Sequence, residues 1–222
     1  MSTATATPNY KSGLAEPRGN LTGMLPADVL AIFDKDAGQL AADYASPLKV
    51  NAGDKAPDFT LSDATGEPVK LSDVLAEGPA VLTFYRGTWC PYCNLQLSQL
   101  QAALSEVSGL GAKLVAVSPQ TPDESLTLKE KLGLEYHVLS DIGNQVARQY
   151  TAVFRNGDTP VETMTALGID FDGHYADDSR ELPVPAVFVI EQDGTVAFAA
   201  SEGGDYRERV EPSEVVAALK AL

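Results

Sequence analysis

Hydrophobic and polar positions along the chain change their rhythm near residue 50. Before it, residues 1 to about 24 are rich in Thr, Ala, Gly and Pro without periodicity, which predicts a flexible lead-in. Val29, Phe33, Leu40 and Tyr44 then recur at helix-like spacing. Pro26 suits the first turn of that helix, and Ala45–Ser46–Pro47 ends it. Residues 1–49 therefore read as an N-terminal extension, packed on the main body or on a second subunit, and residues 50–222 as the main domain.

From Val50 onward short strands alternate with helices. Ala80–Tyr85 is an unbroken apolar run of strand length, as expected for a strand covered on both faces. A helix follows from about Cys93 to Val107, with Leu97, Leu100 and Leu104 on one face, until Gly109 and Gly111 break it. Leu114–Val117 is the next buried strand. Thr121–Pro122–Asp123–Glu124 matches a capping box and opens a helix to about Leu132. Tyr136–Leu139 is a further strand, followed by a helix through Val146 to Tyr150. This order argues for an α/β domain with a largely parallel centre. Ala186–Ile190 and Val196–Ala199 flank Asp193–Gly194, a hairpin signal, so an antiparallel pair joins the sheet and makes it mixed. A last helix starts near Pro212 with Val215, Leu219 and Leu222 facing inward. Residues 151–182 read as a long irregular stretch, a length that points to function or mobility.

Charge narrows the partners. With 16 basic against 31 acidic residues the formal net charge is −15, which disfavours nucleic acid and anionic lipid. No run approaches the ~20 apolar residues of a membrane span, and no signal-peptide pattern opens the chain, so a cytoplasmic location is expected.

Chemistry concentrates at the two cysteines, Cys90 and Cys93. Two cysteines cannot staple a chain of this length, and the cytosol is reducing, so a close pair reads as catalytic or metal-binding. Zinc would need two more ligands. His137 and His174 lie far apart and lack that spacing, so no metal is expected and His137 reads as a core histidine. Cys90–Pro91–Tyr92–Cys93 sits after a buried strand at the opening of a helix. Unpaired N–H groups and the helix dipole there stabilise a thiolate, lowering its pKa from ~8.5 towards ~7 or below. The spacing lets the two sulfurs cycle between dithiol and disulfide.

Phe84–Tyr85–Arg86–Gly87–Thr88–Trp89–Cys90–Pro91–Tyr92–Cys93, with Ala56–Pro57–Asp58–Phe59 upstream, resembles the peroxiredoxin-like (alkyl hydroperoxide reductase/thiol-specific antioxidant) branch of the thioredoxin superfamily. The resemblance runs from about Gly53 to the C-terminus. It implies a thioredoxin-like fold, a central mixed β-sheet flanked by helices. It also implies a peroxide substrate, thioredoxin or a similar dithiol as reductant, no cofactor, and compatibility with a homodimer. Laid on the family pattern, a proline falls at Arg86, a threonine at Cys90 and the peroxidatic cysteine at Cys93. Resemblance to thioredoxin instead makes Cys90 the attacking thiol, so the order of attack stays open. The family's later arginine is missing from Leu182–Pro183–Val184–Pro185–Ala186, where Val184–Pro185 resembles thioredoxin's cis-proline step. Arg86 is the leading substitute, and Arg207 or Arg209 could fold back. Thr88 and Trp89 are expected to support the site, with Trp89 covering the dithiol. Three activities are thereby in contention: a thiol peroxidase, a thioredoxin-like protein disulfide oxidoreductase, and a non-catalytic redox-sensing module that docks through its N-terminal helix and residues 151–182.

Overall fold

A computed structural model describes residues 7–222. In chain order the elements are α1 (Tyr10–Gly13), α2 (Ala15–Met24), α3 (Ala27–Asp43), β1 (Thr60–Asp63), β2 (Pro68–Lys70), α4 (Leu71–Ala76), β3 (Ala80–Phe84), α5 (Pro91–Gly109), β4 (Lys113–Ser118), α6 (Pro122–Leu132), β5 (His137–Ser140), α7 (Ala147–Tyr150), β6 (Val153–Arg155), α8 (Asp158–Ala166), β7 (Glu181–Pro183), β8 (Ala186–Ile190), β9 (Val196–Ala200) and α9 (Pro212–Lys220).

Seven strands form one mixed sheet in the order β2-β1-β5-β4-β3-β8-β9. β3, β4 and β5 run parallel, and β8 closes antiparallel on β3 with Phe84 opposite Ala186. All five residues of β3 are buried, because layers cover both faces of the sheet. The period-two alternation sorts them: Val81 and Leu114 join the layer holding α5 and α9, while Leu82, Phe84 and Val117 join the layer holding α4 and α7. This is the thioredoxin-like arrangement, with the ends of β3 and β4 opening towards α5.

The structure corrects several expectations. The lead-in is mostly helical from Tyr10 onward: α1 and α2 occupy it, with Tyr10 and Leu14 buried in the first core layer. The reading for residues 1–6 lies outside the described residues. Sequence periodicity misses α1 and α2 because only a few of their side chains are buried, so no stripe forms. The stretch 151–182 is ordered by β6, α8 and β7, with β6 pairing β7 antiparallel. Arg180 bridges Asp172 with two bonds of 2.9 and 2.7 Å, tying down the turn at residues 172–174. Thr121 does sit at the start of α6 with Pro122 in its first turn, but its side chain makes no cap bond. The predicted partner, Glu124, turns instead to His174 Nδ1 at 2.8 Å. His137 is exposed at the edge of β5 rather than a core residue, and Leu222, the last residue, is 51% exposed.

The C-terminal loop runs close to α3. A Cβ at Gly204 would overlap the Leu40 carbonyl oxygen, so a residue without a side chain is required there. The Tyr206 hydroxyl donates to Phe33 O at 3.0 Å. α9 begins with the capping box that α6 lacks, formed by Glu211 and Glu214.

Candidate active site

β3 ends at Phe84, and the chain turns through Tyr85–Trp89 into α5, placing Cys90 at the N-cap and Cys93 in the first turn. The helix starts two residues earlier than its periodicity suggests, because Pro91 occupies a first-turn position where no N–H is needed. Both thiols are free and buried, Cys90 at 1% and Cys93 at 0% exposure.

Two donors converge on Cys93 Sγ. The Arg86 backbone N–H lies at 3.5 Å and Arg209 Nη2 at 3.3 Å. Burial alone would raise the Cys93 pKa. A hydrogen bond from Cys90, the Arg209 guanidinium, the Arg86 N–H and the Arg86 charge together outweigh it and hold Cys93 well below the ordinary thiol range. Cys90 moves the other way, pushed well up by burial, by its bond to Cys93 and by the charge on that sulfur. The two shifts oppose each other, favouring negative charge on Cys93 and the proton on Cys90.

Arg209 is itself buried, and no carboxylate lies within salt-bridge distance of it among the described residues. Its Nη1 donates to the carbonyls of Tyr206 and Glu208, the latter at 2.7 Å. Burial lowers its pKa, but Cys93, Tyr10 and Cys90 raise it further, so it stays charged with the sulfur as its counter-charge. Arg207 points elsewhere, bonding Asp34 at 2.5 Å and Asp205 at 2.8 Å. Of the arginines that could replace the missing family residue, Arg209 contacts the sulfur with its side chain and Arg86 with its main chain. The Arg86 guanidinium instead stacks between Tyr206, 3.9 Å from the ring centroid, and Trp89, 4.7 Å.

Around this core the residues of 151–182 close over the turn. Trp89 Nε1 donates to the Tyr175 hydroxyl at 2.8 Å, which donates to Arg86 O at 2.9 Å. Phe171 packs edge-on against Trp89 at 5.3 Å. Gly87 permits this closure, since a Cβ there would lie 2.7 Å from Trp89 Nε1 and 3.0 Å from the Tyr175 hydroxyl. Thr88 does not reach the sulfurs by hydrogen bond. Its N–H donates to Gln120 Oε1 at 2.7 Å and its carbonyl accepts from Asn94 at 2.9 Å, so it shapes the turn. Pro185 leads into β8 with its carbonyl accepting from Ser201 at 2.7 Å. Its peptide bond is trans, as is every one among the described residues, so the expected cis step is absent. The antiparallel pairing of β8 with β3 already sets the chain direction there.

A family model for the AhpC/TSA family matches residues 52–199. The chain belongs to the AhpC/TSA family. It is similar to a Mycobacterium tuberculosis protein assigned as a peroxiredoxin, 27% identical over 151 residues that cover 68% of this chain and 85% of that one. Peroxiredoxin Bcp of Escherichia coli K12 is 36% identical over 106 residues, covering 47% of this chain and 65% of its own. Among solved structures, peroxidoxin BcpB of M. tuberculosis superposes with a TM-score of 0.61 at 26% identity, covering 78% of this chain and 98% of that one. The chain is thus a peroxiredoxin-type oxidoreductase on a thioredoxin-like fold. The family match stops at residue 199, ten residues before Arg209. Sequence reasoning placed Arg209 only as a side chain that could fold back, and it missed Tyr175 and Tyr10 altogether. The cluster Tyr206–Arg207–Glu208–Arg209 in an otherwise acidic chain was the available signal.

Proposed function

We propose that the protein is a thiol peroxidase in which Cys93 is the peroxidatic thiolate and Cys90 the resolving thiol. The observation that carries this reading is the pair of donors on Cys93, the Arg86 N–H and the Arg209 guanidinium. Cys93 attacks the terminal oxygen of a hydroperoxide, forming an S–O bond as the O–O bond breaks. The leaving oxygen takes a proton and departs as water or an alcohol. Sulfur has then been oxidised by two electrons to a sulfenic acid. Cys90, one helical turn away, condenses with it to a disulfide and releases water. A thioredoxin-type dithiol restores both thiols by exchange, which calls for a reducing compartment such as the cytoplasm. Arg86, Thr88, Trp89 and Pro185 have supporting parts: Arg86 through its N–H, Thr88 and Trp89 by fixing the turn, and Pro185 by leading into the strand beside β3.

The thioredoxin-like alternative has less support. Both sulfurs are buried, out of reach of a folded partner's disulfide in this arrangement, and Val184–Pro185 lacks the cis step. No helix among the described residues is long and apolar enough to cross a membrane.

Stopped-flow mixing of the reduced protein with hydrogen peroxide and with an organic hydroperoxide tests the proposal. Rapid loss of one thiolate in wild type and Cys90→Ser, absent in Cys93→Ser, is expected. Rapid loss that survives in Cys93→Ser and disappears in Cys90→Ser would reverse the roles.

A further inference from the structure

A cavity of about 490 Å3 opens beside the dithiol, within the ~300–1,000 Å3 span of small-molecule sites. The N-terminal helices, α8 with the turn after it, and the loop that carries Tyr206 build it. Cys90 lines this cavity and Cys93 does not. The two sulfurs thus face different surroundings: Cys90 the cavity, and Cys93 the Arg209 guanidinium at 3.3 Å.

Once the pair is oxidised, that division decides where a reductant attacks. An incoming thiolate bonds to one sulfur and expels the other. Attack from the cavity meets Cys90 and expels Cys93, beside which the Arg209 guanidinium and the Arg86 N–H already stand to take its negative charge. Cys93 is also the sulfur whose pKa is held low, and the less basic thiolate leaves faster. Access and leaving-group chemistry select the same bond.

The lining describes the reductant. With Cys90 at 1% and Cys93 at 0% exposure, the reducing dithiol has to be small enough to enter the cavity. Leu25, Leu30, Phe33, Met164 and Ile169 form an apolar wall, which suits an aliphatic body and offers no partner to the charged groups of a peptide thiol such as glutathione. Close to Cys90 the lining is polar and unpaired. Asn156 is 1% exposed with neither carboxamide atom hydrogen-bonded, Arg86 is 3% exposed with Nε free, and Asp36 Oδ2 has no partner. The Arg86 charge acts on both the Cys90 thiol and the Asp36 carboxyl, which places the three together. Unpaired donors there stabilise an incoming thiolate, and the carboxylate oxygen can take its proton. A single thiol would leave a mixed disulfide that blocks the cavity to a second one. A second thiol on the same short chain closes on the first at high effective concentration.

We propose that the cavity is the entry for the reductant, a small aliphatic dithiol with an apolar tail, which attacks Cys90. The inference rests on the disulfide cycle of the peroxidase reading and gives its reducing dithiol a size and a point of attack. The first thiol gives its proton to Asp36 and its sulfur bonds to Cys90 Sγ. The Cys90–Cys93 bond breaks with its electron pair left on Cys93. The second thiol then attacks the ligand's own sulfur and releases Cys90, which takes that thiol's proton. The dithiol departs as a cyclic disulfide, oxidised by two electrons, and Asp36 returns its proton to water.

The test starts from the disulfide form prepared with diamide, so that no peroxide chemistry is involved. It is mixed with dihydrolipoamide or with dithiothreitol, and the thiols formed are counted by alkylation and mass spectrometry. Both probes are dithiols that close to rings, so the ratio of their rates isolates the apolar tail. Dihydrolipoamide should react roughly tenfold or more faster, the discrimination typical of an apolar pocket. Leu30→Gln and Ile169→Gln, at half-buried wall positions, should bring the ratio towards one, with far-UV circular dichroism checking that each variant is folded. Hexanethiol, a single thiol, should be trapped as a mixed disulfide on Cys90. Equal rates for the two dithiols, a ratio that the variants leave unaltered, or an adduct on Cys93 would overturn the inference while rapid oxidation by peroxide still upheld the peroxidase reading. The expected ratio and adduct in a protein that reacts with no peroxide would overturn that reading and leave the reductant site standing.

Discussion

The turn between β3 and α5 and the loop between β9 and α9 meet at one sulfur, but they are held there in different ways. The turn is fixed locally. A buried strand aims it, Pro91 starts the helix, and the Cys93 side chain follows from its place in the first turn. The loop is fixed by contacts distant in sequence. Tyr10 N–H and Lys11 N–H donate to the Glu211 carboxylate at 2.6 and 3.0 Å, and the Tyr10 hydroxyl donates to Arg207 O at 2.8 Å. Arg18 pairs with Glu208 at 3.0 Å. In the proposed reading, local geometry supplies the nucleophile, and the C-terminal loop, clamped by the N-terminal helices, supplies the cation beside it.

The largest effect belongs to the turn. Cys93→Ser should remove the fast peroxide reaction entirely, while Cys90→Ser should oxidise once, accumulate sulfenic acid detectable by mass spectrometry, and fail to turn over. The next belongs to the clamp. Tyr10→Ala empties a fully buried aromatic site and should cost about 3–5 kcal/mol by denaturant titration. An unchanged midpoint would mean that the N-terminal helices do not hold the loop.

These two regions differ just as much in what the sequence discloses. The β3–α5 turn is legible because its cause is local: an apolar run, a proline and two cysteines at the right spacing. The mixed sheet and the β8–β9 hairpin are legible for the same reason, and Gly194 indeed takes a positive φ of 84° at that turn. Arg209 is not, because its role depends on chain 116 residues away and on Tyr10, which stands near the opposite terminus. The stretch 151–182 looked irregular because α8 is short and β6 and β7 span three residues each, too few for any period to register. Its function, closing Tyr175 and Phe171 over the turn, is a tertiary fact.

Smaller effects test the details. Glu211→Ala removes both the α9 capping box and the acceptor for Tyr10, and should cost about 1–2 kcal/mol. Thr121→Ala, at the corresponding position of α6, loses no cap bond and should fall within about 0.5 kcal/mol of wild type. Thermal unfolding of the two variants side by side checks the contrast, and equal losses would contradict it.

In the proposed mechanism Arg209 is the group that keeps Cys93 ionised. Cys93 sits below the ordinary thiol pKa, so the reactive thiolate should persist across neutral pH and its reactivity decline only as pH falls through that lowered value. Arg209→Met removes the charge and should return the sulfur towards ~8.5, where a few per cent of thiolate remains at pH 7. The direct measurement is the second-order rate of Cys90→Ser with hydroperoxide from pH 5 to 9.5, with and without Arg209→Met. The expected result is a loss of roughly 30-fold at pH 7 that largely recovers by pH 9.5. An unshifted pH profile in the Arg209→Met protein would contradict it.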